Sequence, residues 1–246
     1  MGWKALKQWG DSAIQIEPIS GGVANDVWIV RVDGKRAVGR LGKRSDADLD
    51  WETSLLTYLD REGIAVPVPI PTKDGRLFVD GLVVMNYLEG HPPKTKADWI
   101  RVADVIRMVH GITQNWPQRP GWRSSTDLLH VNSGTKVDLD RMPIEGVVRC
   151  RAAWKRLSGR KECVLHGDLN AGNVRITDER VAFIDWDESH VDVPALDLVL
   201  PYNASGLNED EYDIASQASA AWEAAVCWRD EFAEKRLAEV REVAAD

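Results

Sequence analysis

Between residues 14 and 41 the apolar positions fall in short β-branched and aromatic runs. Val27 to Val32 reads VWIVRV, Arg36 to Leu41 returns as RAVGRL, and Asp33-Gly34 between them is a two-residue hairpin signal. The period then changes. From Asp46 to Arg61, Leu49, Glu52, Leu55, Leu56 and Leu59 recur at helical spacing, and Gly63 follows as a stop. The run IAVPVPIPTKDG is broken by Pro67, Pro69 and Pro71 and must be extended, and RLFV, the turn Asp80-Gly81 and LVVMNYL predict a second hairpin. After Tyr87-Leu88-Glu89-Gly90-His91-Pro92-Pro93 longer helical patterns take over, starting with Asp98 to His110. That step divides the chain into a β-rich part with one helix, residues 1–88, and a mainly helical part, residues 89–246, with a hinge at about 85–93.

Within the second part, residues 113–137 are rich in Gly, Pro, Ser and Trp and read as an irregular insertion. A helix is expected near Ile144 to Leu157, with Pro143 at its start. Two apolar strands, CVLH and VAFID, flank the polar segment Gly167 to Arg180, and residues 209–243 return to helical periodicity.

Composition narrows the function. With 246 residues, 44% of them hydrophobic, the chain can bury a substantial core. A net charge of −8 repels phosphate backbones, so no nucleic-acid partner is expected. Three dispersed cysteines, Cys150, Cys163 and Cys227, suit neither a disulfide framework nor a zinc site. No run approaches 18 apolar residues and the N-terminus lacks a signal-peptide core, so a cytoplasmic protein without a membrane partner is expected. A monomer is the expected state, although the residues do not encode it. Eleven tryptophans are read as packing residues.

The chemistry concentrates in HGDLNAGNV, residues 166–174, and in FIDWDES, residues 183–189. Phosphoryl transfer needs a carboxylate to orient and deprotonate the attacking hydroxyl, and hard oxygen ligands to hold Mg²⁺ against a triphosphate. Asp168 suits the first role, and Asn173 with Asp185 the second.

HGDLNAGNV resembles the catalytic loop of the aminoglycoside phosphotransferase and choline kinase family, and FIDWDES resembles that family's counterpart of the DFG segment of protein kinases. DVPALDLV, residues 192–199, is similar to its GDPAxDLA signature, with Asp192 in place of the Gly. The resemblance implies an α+β, protein-kinase-like two-lobed fold and a small-molecule kinase. It uses Mg²⁺ with ATP or GTP to phosphorylate a hydroxyl of an aminoglycoside-, amino-alcohol- or sugar-like substrate. It further implies Asp168 as base, Asn173 and Asp185 as metal ligands, His166 as support for the loop, and Asp197 as its tie to the helical part.

In the first part, SGGVANDVWIV resembles the family's GGxxN nucleotide loop, which assigns Ser20, Gly21, Gly22 and Asn25 to the phosphates. Arg40 stands where VAIK has its lysine, with Glu52 as its partner. Met85, Asn86, Tyr87 and Leu88 form the connection that meets the purine through backbone groups, which leaves ATP and GTP undistinguished.

Taken alone, Gly21-Gly22 is an ordinary turn and Arg40 with Glu52 a surface ion pair. Asp185-Trp186-Asp187 also resembles the DxD of haloacid-dehalogenase phosphatases, but that leaves HGDLNAGN unexplained. A protein kinase would need a longer segment between Asp185 and Asp197. The main rival is a catalytically inactive kinase-like protein that binds nucleotide or a partner.

Overall fold

The computed structural model describes residues 2–19, 25–134, 136–228 and 230–242. In chain order the strands are β1 (Ile14–Pro18), β2 (Asp26–Val32), β3 (Lys35–Leu41), β4 (Phe78–Val79), β5 (Leu82–Asn86), β6 (Cys163–Leu165), β7 (Val174–Ile176), β8 (Val181–Phe183) and β9 (His190–Asp192). The α-helices are α1 (Asp46–Arg61), α2 (Lys96–Ile112), α3 (Ile144–Lys155), α4 (Glu209–Val226) and α5 (Glu231–Glu239). The chain forms two compact units. One comprises residues 1–92 and 173–184, the other residues 93–172 and 185–246.

The first unit is built on an antiparallel sheet of order β1-β2-β3-β5-β4. Both Asp-Gly turns take positive φ at their two central residues, 45° and 76° at Asp33-Gly34, 51° and 80° at Asp80-Gly81. Turns of that kind match the right-handed twist of the strands they join, and they fix the register. Trp28 therefore opposes Gly39, and Arg40 lies between Val27 on β2 and Val83 on β5. Directly opposed residues share a face. Val30, Ala37 and Val84 line one face, packed with Ala5, Leu6 and Trp9 of a 3-10 helix, Gly2–Trp9, that the hydrophobic pattern did not disclose. Gly39 makes room for it, since a Cβ there would fall 2.9 Å from the Trp3 ring. The other face carries Val27, Ile29, Val38, Arg40, Val83 and Met85.

Helix α1 occupies the expected residues, with Ser45 accepting from the Asp48 N–H at its start. The proline-rich segment beyond it is extended, as required. Val68 and Ile70 bond to β5, while Ala65 bridges to Ala182 of the β7–β8 hairpin. The same hairpin exchanges two backbone hydrogen bonds between Ile176 and His91, at 3.0 and 2.8 Å. Gly90 makes this approach possible, because a Cβ there would stand 2.8 Å from the Ile176 carbonyl oxygen. Thus β7–β8 belongs to the first unit although it lies beyond residue 172 in the chain.

The second unit is mainly helical. Capping boxes at Thr95/Asp98 and Asn208/Glu211 start α2 and α4. The alanines of α4 let α3 come close, and the buried Trp154 indole N–H donates to Ala218 O at 3.2 Å. The helical stretch expected over residues 209–243 is divided into α4 and α5, with Asp230 N bonding back to Cys227 O between them. The two apolar runs CVLH and VAFID do not pair with each other: β6 pairs with β9, and β8 with β7. Among the described residues no helix is long and apolar enough to cross a membrane.

All three cysteines are free, and Cys150 and Cys163 are buried. Burial pushes the Cys150 thiol up to about 12 and raises Cys163 as well. Cys227 is partly accessible; burial and the nearby Asp230, Glu188 and Glu223 carboxylates raise it more mildly. Reaction of the native protein with an aromatic disulfide reagent should therefore release one equivalent of thiolate, from Cys227 alone, more slowly than from a free thiol. Mass mapping that finds Cys150 or Cys163 modified before denaturant is added would contradict this packing.

Candidate active site

In the second unit β6 delivers the loop that follows it. Its three residues are buried and paired with β9, Leu165 opposite His190. The chain then turns at His166 and Gly167, and both of their backbone N–H groups are taken by Asp197, at 2.7 and 3.0 Å. Asp197 also accepts from His110 Nε2 at 3.0 Å, joining the end of α2 to the loop. Burial works to raise the Asp197 carboxyl, but the His110 hydrogen bond, the charges of His110 and His166 and the Gly167 N–H outweigh it and hold the group below its ordinary value.

Gly167 has φ of 81°, and a Cβ on it would stand 2.3 Å from the Glu188 carbonyl oxygen, so the loop lies directly on the turn at 186–189. His166 is fully buried, its ring 4.9 Å from that of Trp186. Its Nδ1 accepts from the Asp168 N–H at 3.4 Å. Asp168 itself is exposed. Its carboxylate accepts from Asn170 Nδ2 at 2.9 Å, and Asn170 Oδ1 accepts from the Gly172 N–H at 2.8 Å. The result is a solvent-facing carboxylate on a loop whose backbone is held from beneath.

Asn173 opens the β7–β8 hairpin in the first unit, where its carbonyl accepts from the Ile184 N–H at 2.9 Å. The next residue in the chain, Asp185, is exposed and has a left-handed backbone with φ of 62°. Such a conformation costs a non-glycine residue on the order of 1 kcal/mol or more, and it persists where neighbours fix it. Here the neighbour is Trp186, fully buried, whose carbonyl accepts from both the N–H and the hydroxyl of Ser189, at 3.1 and 2.6 Å.

In the first unit Arg40 and Glu52 form a buried ion pair at 2.5 Å, with Glu52 1% exposed. Glu52 also takes a short hydrogen bond from Arg44, which the sequence reading did not single out. An arginine four residues after Arg40 and eight before Glu52 carried no periodic signal. Asn25 sits against Gly42, where a Cβ would fall 2.2 Å from its Oδ1. Ser20, Gly21 and Gly22 lie outside the described residues. Met85 and Leu88 are buried. The Asn86 side chain accepts from the Val68 N–H and thereby holds the proline-rich segment, and the Tyr87 ring lies 4.2 Å from the Arg36 guanidinium carbon.

Arg119 lies inside the stretch 113–137 that the sequence marks as irregular. It is 1% exposed, and its Nη1 donates to Asp187 O and Ser189 O at 2.9 and 2.7 Å, with Trp186 O at 3.5 Å. Flanking prolines at 117 and 120 marked a loop and gave no sign that its charge faces inward.

An antiparallel sheet with a buried Arg–Glu pair, and a helical unit displaying an aspartate on a clamped loop, define a kinase-like α+β fold. The chain belongs to the phosphotransferase enzyme family, whose family model matches residues 15–241. Its fold is similar to that of a microcompartment-associated aminopropanol kinase, with a TM-score of 0.65 at 16% identity, covering 96% of this chain and 92% of that one. The choline kinase LicA from Streptococcus pneumoniae gives 0.62 at 14% identity over 92% of each chain. A spectinomycin phosphotransferase gives 0.55 at 16% identity, over 93% of this chain and 87% of that one. An uncharacterized protein of Deinococcus radiodurans is 28% identical over 184 residues, 66% of this chain. The match spans 53% of that relative's length.

Proposed function

We propose that the protein is a small-molecule kinase that transfers the γ-phosphoryl of ATP or GTP to a hydroxyl of a small substrate. The observation that carries this reading is the exposed Asp168 on a loop whose first two N–H groups are fixed by the buried Asp197. A general base must be presented to its substrate in one orientation, and a loop clamped at its base does that. Asp168 orients the acceptor hydroxyl and takes its proton as the oxygen attacks in line. His166, beneath it, is a positioning residue.

The donor set fits Mg²⁺. An amide oxygen from Asn173 and a carboxylate from Asp185 are hard ligands of the kind that ion takes, and Asp185 is solvent-facing. When bound, the ion neutralises charge on the triphosphate. Arg40, held in place by Glu52, supplies a cation to the phosphates, with Ser20, Gly21, Gly22 and Asn25 as the phosphate loop. The apolar sheet face carrying Val27 and Val38 supports a purine site, with residues 85–88 offering backbone groups to the ring. We place the nucleotide part at residues 1–88 and the substrate part at 89–246. Aminopropanol, choline and spectinomycin, named for the similar structures, share a hydroxyl and a basic or quaternary nitrogen. An amino alcohol is therefore the first acceptor to try.

Thermal melts with Mg-ATP and Mg-GTP, followed by coupled turnover with a panel of amino alcohols, sugars and aminoglycosides, test the reading. Nucleotide at about 100 times its Kd should stabilise the protein by about 2.7 kcal/mol and raise Tm by about 5–10 °C. Stabilisation without turnover on any acceptor would leave a nucleotide-binding protein. The absence of both stabilisation and turnover would remove the kinase reading altogether.

A further inference from the structure

The 186–189 turn turns its carbonyl oxygens inward. Those of Trp186, Asp187 and Ser189 converge on Arg119 Nη1, and that of Glu188 meets His190 Nδ1 at 2.8 Å. Three carbonyl dipoles aimed at one point repel one another unless a cation sits there, so the guanidinium is part of what closes the turn. Arg119 is itself fixed. The adjacent Gln118 side chain pairs with both backbone groups of Val191, at 2.7 and 3.0 Å, as a neighbouring strand would. Seven residues beyond Gln118, Ser125 gives its N–H and its hydroxyl to the buried Asp192 carboxylate at 2.6 and 2.7 Å. The segment read as an irregular insertion is thus laced to residues 186–192, and Asp192 is one of the lacing points.

The turn held in this way begins one residue after Asp185 and touches Gly167, one residue before Asp168. We propose that Arg119 is a positioning residue for phosphoryl transfer. Its buried guanidinium fixes the 186–189 turn, and through it the left-handed backbone that aims the Asp185 carboxylate at the metal-nucleotide. The metal part of this rests on the kinase reading above; the brace does not.

The test compares wild type with Arg119→Met and Arg119→Lys by three readouts: turnover as a function of Mg²⁺, Mn²⁺ binding in the presence of ATP followed by electron paramagnetic resonance, and amide exchange over residues 185–190. Arg119→Met should raise the half-saturating metal concentration and lower kcat, each by roughly 10–100-fold, while the acceptor KM moves less than about threefold. Exchange over 185–190 should accelerate. Arg119→Lys keeps a cation but ends about one bond short, so it should fall between the two. Added guanidinium should restore part of the activity of Arg119→Ala, and tetramethylammonium should not.

Metal affinity and kcat within twofold of wild type in a folded Arg119→Met protein would overturn the proposal, even if exchange rises. If Arg119→Met does not fold, Arg119→Lys and guanidinium rescue decide by the same criteria. A wild type that neither binds Mn²⁺-ATP nor turns over defeats the kinase reading and with it the positioning role. Amide exchange in the variants then reports on the brace alone.

Discussion

Asp168→Ala should lower turnover by about 10²- to 10⁴-fold, the usual contribution of a positioned general base, while Mg-nucleotide still raises the melting temperature as it does in wild type. The separation of effects follows from where the side chain sits. Asp168 is exposed, and its carboxylate accepts from Asn170, two residues away on the same loop. The backbone of the loop is held by Asp197, so the loop should keep its fold when residue 168 is truncated. Single-turnover assays and melts on the same preparation measure both quantities. Full turnover in Asp168→Ala would remove this residue as the base.

Asp197→Ala should have the opposite profile, a loss of stability first and of activity as its consequence. The substitution leaves His110 and the N–H groups of residues 166 and 167 without their buried acceptor. Removing one partner from such a buried charged network costs about 3–5 kcal/mol, or about 6–20 °C in Tm for a chain of this size. The effect has a pH signature. Because the Asp197 carboxyl is held below its ordinary value when folded, its stabilising contribution is fully present above an unfolded carboxyl value of about 3.9 and is lost as pH falls through the folded value. The Tm gap between wild type and variant should therefore be constant near neutrality and narrow in acid. A gap that widens on acidification would mean that Asp197 is not the charged partner here.

What could be read from the chain alone was whatever has a local cause. The Asp-Gly turns force their hairpins, the leucines and Glu52 at helical spacing force α1, and the prolines at 67, 69 and 71 force an extended run. The pairing of Arg40 with Glu52 followed from motif position, and both residues turned out to be buried. What escaped has a non-local cause. The pairing of β6 with β9 and of β8 with β7 depends on a chain reversal through three-residue strands too short to show a period. Arg119 and Gln118 act through side chains on backbone groups some seventy residues away, and composition described their segment only as a loop. Arg44 sits between a strand and a helix, where neither periodicity applies.

The hairpin at 174–183 bears on how the polypeptide matures. The first unit draws backbone partners for Ala65 and His91 from residues that leave the ribosome about a hundred positions later. A nascent chain that has emerged only as far as residue 92 lacks those partners, so Ala65 and His91 wait for them while the intervening eighty residues are made. Gene fragments cut at the apparent lobe boundary inherit the same deficit, and a split version of the protein would have to return residues 173–184 to the N-terminal piece.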